Sequence, residues 1–327
     1  MKCTNKRKAV LVLLCIVTTV ISGCGKMNAY SFEYSKNHHT SSFNIISATT
    51  PQTFDTFSSN ICVVTDDILS ENFSVEDNSA AGLFDVKNNK VLYCKDANEM
   101  LYPASLTKVM TALVAIKNAK MDDTLVASNN VKISDSGATV IGLKSGDKMT
   151  LNQALHILLI NSSNDVANLI AENVAGDIDT FVQMMNEEAV RLGATNTNFT
   201  NPHGLSDSNH YTTVYDMYLI FNEAIKFDIF NEIIHMRTYE TVYYDSRERE
   251  KEVNITTTNL FLRGNYSAPE NITVVGGKTG TTNMSGHCLM ILAKDVSGNP
   301  YIGVILRASS RDLINQEMIQ MLSEINK

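Results

Sequence analysis

A serine and a lysine stand three residues apart at the start of an apolar segment. In YPASLTKVMTALVAI, residues 102–116, Ser105 precedes Lys108 and most of the following residues are apolar. Side chains three positions apart share one face of a helix, so the hydroxyl and the amine are predicted to meet. A hydroxyl needs a nearby base to act as a nucleophile, and a lysine is a base only when it is neutral. Burial lowers the pKa of a lysine, so a Lys108 that is buried beside Ser105 would be able to activate it as a nucleophile.

The same spacing occurs a second time, in a setting that favours another interpretation. Ser145 and Lys148 in KSGDKMT flank a Gly-Asp pair that is typical of a turn. A helical lysine can also extend its charge to water and have no catalytic role. The spacing alone therefore does not define an active site, and the rest of the sequence has to decide.

Two further short motifs follow the first one in chain order. Ser162-Ser163-Asn164 lies in LLINSSNDVANLIAE, a helical segment, and Lys278-Thr279-Gly280 lies in VVGGKTGTT, a predicted strand. Ser-x-Asn recurs elsewhere in the chain, whereas Lys-Thr-Gly occurs once. The three motifs in this order match the signature of penicillin-binding proteins and related β-lactamases.

The surrounding sequence resembles the serine-type D-alanyl-D-alanine carboxypeptidases, the low-molecular-mass penicillin-binding proteins. The resemblance covers residues 80–327 and is carried by segments such as YPASLTKVMTALVA, NSSNDVANLIAE, NPHGL, HYTTVYDM and VVGGKTGTTNMSGHCLMILA. It implies that the substrate is a peptidoglycan stem peptide ending in D-Ala-D-Ala and that β-lactam antibiotics are inhibitors. The implied reaction removes the terminal D-Ala through an acyl-enzyme, with no metal or organic cofactor.

The resemblance also implies a role for each residue of the motifs. Ser105 attacks the peptide carbonyl, Lys108 accepts its proton, and backbone N–H groups of Ser105 and Thr281 stabilise the oxyanion. Ser162 relays a proton to the leaving nitrogen. The implied catalytic residues are Ser105, Lys108, Ser162, Asn164 and Lys278, and the implied substrate-binding residues are Thr279, Gly280, Thr281 and Arg311. The alternative for Arg311 is that it is a surface residue at the start of a helix and does not contact the substrate.

Three residues of NPHGL and one cysteine receive a structural interpretation. Asn201, His203 and Gly204 match a motif of the family, and we interpret them as a loop that braces the site rather than as catalytic residues. Cys288 lies on a predicted strand and is expected to be a core residue.

The first residues predict export and lipidation. Four basic residues precede a short apolar run, Ala9 to Ile21, which ends in Ile-Ser-Gly-Cys and resembles a bacterial lipobox. We therefore expect residues 1–23 to be a lipoprotein signal peptide and Cys24 to carry a lipid that anchors the protein to the outer face of the cytoplasmic membrane. An ordinary signal peptide that contains a cysteine is the alternative.

The domain organisation follows from composition. Residues 24–78 are rich in Ser, Thr and Asn and are predicted to form a partly disordered tether, and residues 79–327 the catalytic domain. Many members of the family continue into a β-rich domain and an amphipathic membrane helix. The chain stops at Lys327, so the N-terminal lipid is expected to replace that anchor.

Charge and cysteine content exclude several classes of protein. The net charge of −8 and the pI of about 5.4 disfavour binding to nucleic acid. Three cysteines remain after Cys24, with no Cys-x-x-Cys pattern, so a disulfide framework or a zinc site is not expected. One bridge, between Cys62 and Cys94, is left open.

The predicted fold class is α/β: a mixed, mainly antiparallel sheet flanked by helices, with a helical subdomain. A hairpin is expected within residues 80–97. Three strand-like runs, at residues 271–282, 286–295 and 300–309, and a closing helix follow the helical middle. The predicted helices cover residues 105–119, 151–175, 178–192 and 213–226.

Two other functions stay open. A serine β-lactamase needs a base for the deacylating water, which Glu-x-x-x-Asn supplies in the commonest class. Glu187 and Glu188 do not begin that pattern, and Glu250 with Asn254 lies in a charged run that is typical of a solvated face. A non-catalytic, penicillin-sensing surface lipoprotein is the second alternative.

Overall fold

The computed structural model describes residues 60–327, which belong to one compact unit. Its strands are β1 (Ala80–Asp85), β2 (Lys90–Lys95), β3 (Thr124–Val126), β4 (Lys148–Thr150), β5 (Thr238–Tyr244), β6 (Glu250–Thr256), β7 (Ile272–Thr282), β8 (Gly286–Asp295) and β9 (Pro300–Ala308). Its α-helices are α1 (Thr107–Asn118), α2 (Leu151–His156), α3 (Asn164–Ala175), α4 (Ile178–Arg191), α5 (Val214–Ala224), α6 (Asp228–His235) and α7 (Arg311–Ser323).

The larger sheet joins the two ends of the described chain. Its strand order is β2-β1-β9-β8-β7, and every neighbouring pair is antiparallel. Near-continuous apolar runs form β8 and β9 because both of their faces are covered, as their burial pattern shows. The strand that carries Lys278, β7, is left at the edge of this sheet.

A second antiparallel sheet, with the order β3-β4-β5-β6, is absent from the sequence prediction. The charged run at residues 246–254 was interpreted as a solvated face, and part of it is β6. In β6 the buried Val253 and Ile255 alternate with exposed residues, so one face of the strand packs and the other carries the charges.

The predicted helix over residues 151–175 is interrupted. Helix α2 ends at His156 and passes into a π-helical turn, Ile157–Asn161, and Ser162 then takes the left-handed conformation with φ 66° and ψ 34°. Helix α3 starts afresh at Asn164. The break takes Ser162 out of the helical path and places Asn164 in the first turn of a new helix, so both residues lie at the interruption.

Two hydrophobic clusters hold these layers together. The larger cluster surrounds α1, whose residues 107–115 are all buried, and includes Phe84 and Tyr218, whose rings stack 4.1 Å apart. The smaller cluster lies between the larger sheet and α7, where Ile291 and Met318 are fully buried. Because α1 runs through the centre of the protein, a charged side chain on it cannot reach water easily.

Packing begins before the predicted domain boundary at residue 79. Cys62 is fully buried and its backbone N–H donates to Tyr218 Oη at 2.9 Å, and Ile68 exchanges two backbone hydrogen bonds of 2.8 Å with Cys94. Phe73 and Val75 are also buried, so residues 62–78 are not a free tether. The side chains of Phe73 and Val75 belong to the smaller hydrophobic cluster and pack against the larger sheet. Residues 1–59, including Cys24, lie outside the described part.

The cysteines of the described residues are free. Cys62, Cys94 and Cys288 are buried thiols, so the bridge between Cys62 and Cys94 that the sequence left open is not formed. Burial raises the pKa of all three thiols to about 11, which keeps them protonated and unreactive.

Candidate active site

Ser105 lies in a short 3-10 turn, Ala104–Leu106, that leads directly into α1. The residue before it, Ala104, has φ 49°, a left-handed conformation that is unfavourable for a residue with a side chain. The carbonyl of Ala104 accepts a hydrogen bond of 2.8 Å from Thr107 Oγ1. The turn is therefore held in its conformation by the helix that follows it, and Ser105 itself is only half-buried.

A buried histidine supports the same turn. His210 Nδ1 accepts a hydrogen bond of 3.0 Å from the backbone N–H of Thr200, so its Nε2 carries the proton in the neutral ring. That Nε2–H donates to Thr107 Oγ1 at 2.8 Å. Burial lowers the pKa of His210 to about 4, which favours this neutral form. The chain His210–Thr107–Ala104 therefore fixes the backbone that carries Ser105.

Lys108 is fully buried and has three partners. Its Nζ lies 3.0 Å from Ser105 Oγ, 2.8 Å from Asn164 Oδ1 and 2.6 Å from the carbonyl oxygen of His203. The amide of Asn164 is oriented by its own Nδ2, which donates to the carbonyl of Thr139 at 3.1 Å. Asn164 Oδ1 and the carbonyl of His203 can only accept hydrogen bonds.

These partners suit a neutral amine. A neutral lysine has two N–H groups and one lone pair, and its two carbonyl-type partners take both N–H groups. The lone pair then remains for the hydroxyl proton of Ser105. Burial lowers the pKa of Lys108 well below its ordinary value, Lys278 lowers it further, and Asp165 acts in the opposite direction.

Ser162 and Lys278 form the second pair of the site. Lys278 is buried on β7, and its Nζ donates to Ser162 Oγ at 2.8 Å and to the carbonyl of Thr279 at 2.8 Å. Burial lowers the pKa of Lys278 to about 7. The structure thus places the edge strand β7 beside the helix break at Ser162. The charge of Lys278 lowers the pKa of Lys108.

Glycines let β7 approach the Ser105 turn closely. A Cβ added to Gly280 would lie 2.9 Å from the backbone nitrogen of Ser105 and 3.1 Å from the carbonyl of Pro103. Such contacts leave no room for a side chain. The backbone of β7 at Gly280 therefore runs directly beside the backbone of Ser105.

The side chains next to Gly280 line a shared cavity beside β7. Thr279 Oγ1 lies 2.6 Å from Thr258 Oγ1, and Thr281 Oγ1 donates to the carbonyl of Gly280 at 2.8 Å. His287 Nδ1 lies 3.1 Å from Thr281 Oγ1. The cavity is lined by Thr258, Thr279, Gly280, Thr281, His287 and Arg311, among others. Arg311 is exposed at the first position of α7 and shares the cavity with both threonines.

Residues 201–205 form the loop that supplies a carbonyl to Lys108. Asn201 Oδ1 accepts hydrogen bonds from the backbone N–H groups of His203 at 3.2 Å and of Gly204 at 2.6 Å. Gly204 has φ 85°, and a Cβ there would lie 1.8 Å from the carbonyl oxygen of Ala104. Asn201 and Gly204 therefore brace the loop, and His203 contacts Lys108 through its backbone.

The second Ser-x-x-Lys is built differently. Ser145 is exposed in a turn, and the Nζ of Lys148 lies 2.5 Å from Glu248 Oε1 at the protein surface. Glu188, one of the glutamates considered above for the base of a β-lactamase, forms salt bridges with Lys117 and Arg191.

Several contacts of the site have no signal in the sequence. The carbonyls of His203 and Thr139 are backbone groups, which any residue type provides. Thr258 lies in a run of three threonines, and His210 lies in HYTTVYDM, so only their placement in the fold distinguishes them. Cys288 is buried with its Sγ 3.7 Å from the carbonyl of Tyr102, in agreement with a core position.

Comparison with known proteins identifies the family. A family model described as D-alanyl-D-alanine carboxypeptidase matches residues 70–310. The chain is 34% identical over 249 residues to D-alanyl-D-alanine carboxypeptidase DacF of Bacillus subtilis, a match that covers 74% of this chain and 60% of that protein. It is 33% identical over 221 residues to DacC of Escherichia coli, covering 64% and 52% respectively. The chain belongs to the D-alanyl-D-alanine carboxypeptidase family, and the matches span 52–60% of the length of these relatives.

A solved structure supports the fold. The crystal structure of a DD-transpeptidase from Streptomyces superposes with a TM-score of 0.69 at 23% identity, covering 77% of this chain and 98% of that one. This likeness confirms the predicted α/β fold class with its antiparallel sheet and flanking helices.

Neither a membrane-spanning helix nor a metal cluster is found in residues 60–327. No described helix has the length and apolar character needed to cross a membrane. The described residues also contain no cluster of three or more His, Cys, Asp or Glu side chains that is placed to hold a metal ion.

Proposed function

We propose that the protein is a serine D-alanyl-D-alanine carboxypeptidase that removes the terminal D-Ala from peptidoglycan stem peptides and is acylated by β-lactams. One observation carries the proposal: Lys108 is buried, its two N–H groups are taken by carbonyl-type oxygens, and its remaining position meets Ser105 Oγ at 3.0 Å. This arrangement serves a base that removes a proton from a serine. A structural lysine would be paired with a carboxylate.

Acylation begins with attack of Ser105 Oγ on the carbonyl carbon of the penultimate D-Ala, while Lys108 takes the hydroxyl proton. The negative charge that develops on the carbonyl oxygen is met by the backbone N–H groups of Ser105 and Thr281. The close approach of Gly280 to the Ser105 nitrogen supports this assignment. No reorganisation is needed at the moment of reaction, because these donors are backbone groups of a packed strand and turn.

Departure of D-Ala requires a proton on its nitrogen. Ser162 is the proposed relay, because its hydroxyl oxygen accepts a hydrogen bond from Lys278 and its own proton is then free for the leaving group. The C–N bond breaks as that nitrogen takes the proton of Ser162, and the proton that Lys108 took from Ser105 passes to Ser162, so an ester of Ser105 and a neutral Lys108 remain. Water then attacks the ester and gives a proton to Lys108, and the ester C–O bond breaks as Ser105 Oγ takes that proton back.

The edge position of β7 suits the recognition of an extended peptide. An edge strand presents unpaired backbone groups to which a peptide can add as a further strand. The terminal carboxylate of the substrate would then lie near Thr279 and Arg311, which share one cavity. Asn164, whose amide is oriented by Thr139, is proposed to hold the substrate amide as well as Lys108.

We further propose that Cys24 carries a lipid and holds the protein at the outer face of the cytoplasmic membrane. The support is the basic start, the apolar run and the Ile-Ser-Gly-Cys ending. Growth with a labelled fatty acid should label the wild-type protein and leave Cys24→Ala unlabelled. An unlabelled wild type would contradict the anchor and leave the enzymatic proposal unaffected.

The enzymatic proposal is tested by turnover. The protein should release D-Ala from a pentapeptide that ends in D-Ala-D-Ala, should form a slowly hydrolysed adduct with penicillin, and should lose both reactions on Ser105→Ala. Ser145→Ala is the matched control and should retain both. Rapid turnover of penicillin without release of D-Ala would identify a β-lactamase, and a stable adduct without peptide turnover would identify a penicillin-binding sensor.

A further inference from the structure

Residues 139–143 form a partly exposed loop beside the first turn of α3. The carbonyl of Thr139 accepts two hydrogen bonds from Asn164, one of 2.8 Å from its backbone N–H and one of 3.1 Å from Nδ2. Asn164 Oδ1 in turn lies 2.8 Å from Lys108 Nζ. The position of this loop therefore decides how the Asn164 amide is oriented toward the proposed base.

The orientation of that amide matters because its two ends have opposite hydrogen-bonding character. Oδ1 accepts and can take an N–H group of neutral Lys108, whereas Nδ2 can only donate. A reversed Asn164 amide would present N–H groups to Lys108 and would leave one N–H of the amine without its acceptor. The carbonyl of Thr139 holds the correct orientation, since it can accept from Nδ2 and not from Oδ1.

Packing does not fix the middle of the loop. Val140 is 43% exposed, and Gly142 is exposed as well. A cavity of about 460 Å³ lies against Val140, Gly142 and Leu143. Chain segments with few buried contacts open easily, so other contacts have to keep the Thr139 carbonyl in its place.

Asp165, the second residue of α3, supplies those contacts. It is buried, and its Oδ2 accepts hydrogen bonds from the backbone N–H groups of Gly142 at 2.8 Å and of Leu143 at 3.0 Å. Its Oδ1 accepts from the backbone N–H groups of Ile141 at 3.3 Å and of Val166 at 3.0 Å. Hydrogen bonds to a charged acceptor are roughly twice as strong as those between neutral groups. One carboxylate therefore holds three successive residues of the loop.

We propose that Asp165 is a positioning residue for acylation. By holding residues 141–143 it keeps the carbonyl of Thr139 at the Asn164 amide, and Asn164 Oδ1 thereby stays directed at Lys108. Asp165 acts through the loop and through Asn164. This inference rests on the proposed function, because it assigns a residue that supports the same reaction.

Asp165→Asn is the direct test. Each carboxylate oxygen accepts from two N–H groups, so whichever oxygen becomes an NH2 group then faces two donors. The rate constant for acylation of the full chain by penicillin should fall by at least about tenfold, as expected when a group of the reaction centre is displaced. Each protein is measured at its own pH optimum, because the charge of Asp165 also raises the pKa of Lys108.

A double-mutant cycle separates positioning from a general effect on the fold. Asn164→Ala removes the amide through which Asp165 acts, so adding Asp165→Asn to it should slow acylation by less than about twofold. Asp147→Asn is the matched control. Asp147 is also a buried carboxylate, and it accepts a hydrogen bond of 2.9 Å from the backbone N–H of Lys144 in the neighbouring turn. This control should be acylated at the wild-type rate.

The kinetic results separate this inference from the proposed function. Acylation of Asp165→Asn at the wild-type rate, or an equal loss with and without Asn164→Ala, overturns the positioning role and leaves the carboxypeptidase proposal intact. A wild type that penicillin does not acylate overturns the carboxypeptidase proposal instead.

Hydrogen exchange of the wild type decides the positioning role in that case, and also if Asp165→Asn does not fold. The backbone N–H groups of Gly142 and Leu143 bind Asp165, and that of Asn164 binds Thr139. If the carboxylate holds loop and amide together, the three N–H groups should open in one step with one free energy. Opening of Gly142 and Leu143 that leaves the N–H of Asn164 protected overturns the inference.

Discussion

Lys278 Nζ lies 2.8 Å from Ser162 Oγ, while Lys108 Nζ lies 3.0 Å from Ser105 Oγ, so each buried amine of the site faces one serine. Two buried ammonium groups that influence each other cannot both hold a proton at little cost. Lys108 has the stronger reason to be neutral, because burial and the charge of Lys278 both lower its pKa. The working state we infer has Lys108 neutral and Lys278 charged.

This state predicts a bell-shaped pH profile of kcat/KM. Activity falls on the acid side as Lys108 gains a proton and can no longer act as a base. It falls on the basic side as the pH rises through about 7, because Lys278, whose pKa is lowered to about 7, then loses its charge. Lys278→Arg keeps a charged group at all these pH values, so the basic limb should disappear, with an overall loss of about tenfold from altered geometry.

The profile is measured with a D-Ala-D-Ala peptide between pH 5 and 10. A basic limb that persists unchanged in Lys278→Arg would assign it to another group. The control is Lys148→Arg, since Lys148 is paired with Glu248 at the surface and the profile should not change.

Lys108→Arg should be almost unable to form an acyl-enzyme. A guanidinium stays charged and cannot accept the proton of Ser105, so the rate constant for acylation by penicillin should fall by at least about 10³-fold. Because an arginine is larger, Lys108→Met is measured beside it to separate loss of the base from disturbed packing. Acylation of either folded variant at the wild-type rate would remove Lys108 from the base role.

The sequence predicted the larger sheet closely. The three runs near the end of the chain coincide with β7, β8 and β9 to within one residue, because long apolar runs bounded by turns are a strong signal. The second sheet was missed since β5 and β6 are largely exposed and carry many polar residues, which weakens the alternation. Its existence depends on pairing between segments far apart in the chain.

The residue types of the site and the contact between Ser105 and Lys108 could be predicted from the sequence, but the geometry around Ser162 could not. The helical periodicity runs through HILLINSSNDVANLIAE without a break, yet the chain leaves the helix at Ser162. Tertiary contacts stabilise that break: Lys278 meets Ser162, and the backbone N–H of Asn164 donates to the carbonyl of Thr139 at 2.8 Å. The role of the carbonyl of His203 could not be predicted either, because any residue at that position would supply it.

His210 should make the protein sensitive to mild acid. Its pKa is lowered from 6.5 to about 4, so between these values the unfolded chain binds a proton that the folded protein does not. Stability is therefore fully present above pH 6.5 and is lost as the pH falls toward 4, by about 3 kcal/mol. His210→Gln offers an amide N–H to Thr107 and does not titrate, so this loss should be absent from the variant.

The measurement is urea unfolding of both proteins at several pH values between 4 and 7. The pKa of His203 is also lowered, to about 3, and its contribution stays in both proteins, so it cancels in the difference. A difference in unfolding free energy that does not vary with pH would show that His210 does not titrate in this range.

Arg311→Ala should weaken the recognition of a free C-terminal carboxylate. Arg311 lines the cavity that Thr279 and Thr281 share, and its guanidinium is exposed there. For a peptide with a free terminus, kcat/KM should fall by about tenfold, as expected for the loss of a charge-assisted hydrogen bond. For the corresponding terminal amide the change should be below about twofold. Equal losses on both peptides would indicate that Arg311 is structural.

Gly204 and Gly176 provide a matched pair for the role of the loop beside Ser105. Both have a positive φ, 85° and 89°, so alanine is strained at each. At Gly176 a Cβ meets nothing within 4 Å, whereas at Gly204 it would lie 1.8 Å from the carbonyl oxygen of Ala104. Gly204→Ala must therefore displace the residue that precedes the nucleophile.

Gly204→Ala should cost about 2 kcal/mol more in unfolding free energy than Gly176→Ala, because of this overlap. It should also slow acylation by about 10²-fold, since a displacement of about 1 Å at a reacting atom has that effect. Gly176→Ala should acylate at the wild-type rate. Penicillin acylation and urea unfolding of the two variants measure both quantities. Equal acylation by the two folded variants would mean that the loop supplies only the carbonyl of His203 and that the position of Ser105 does not depend on it.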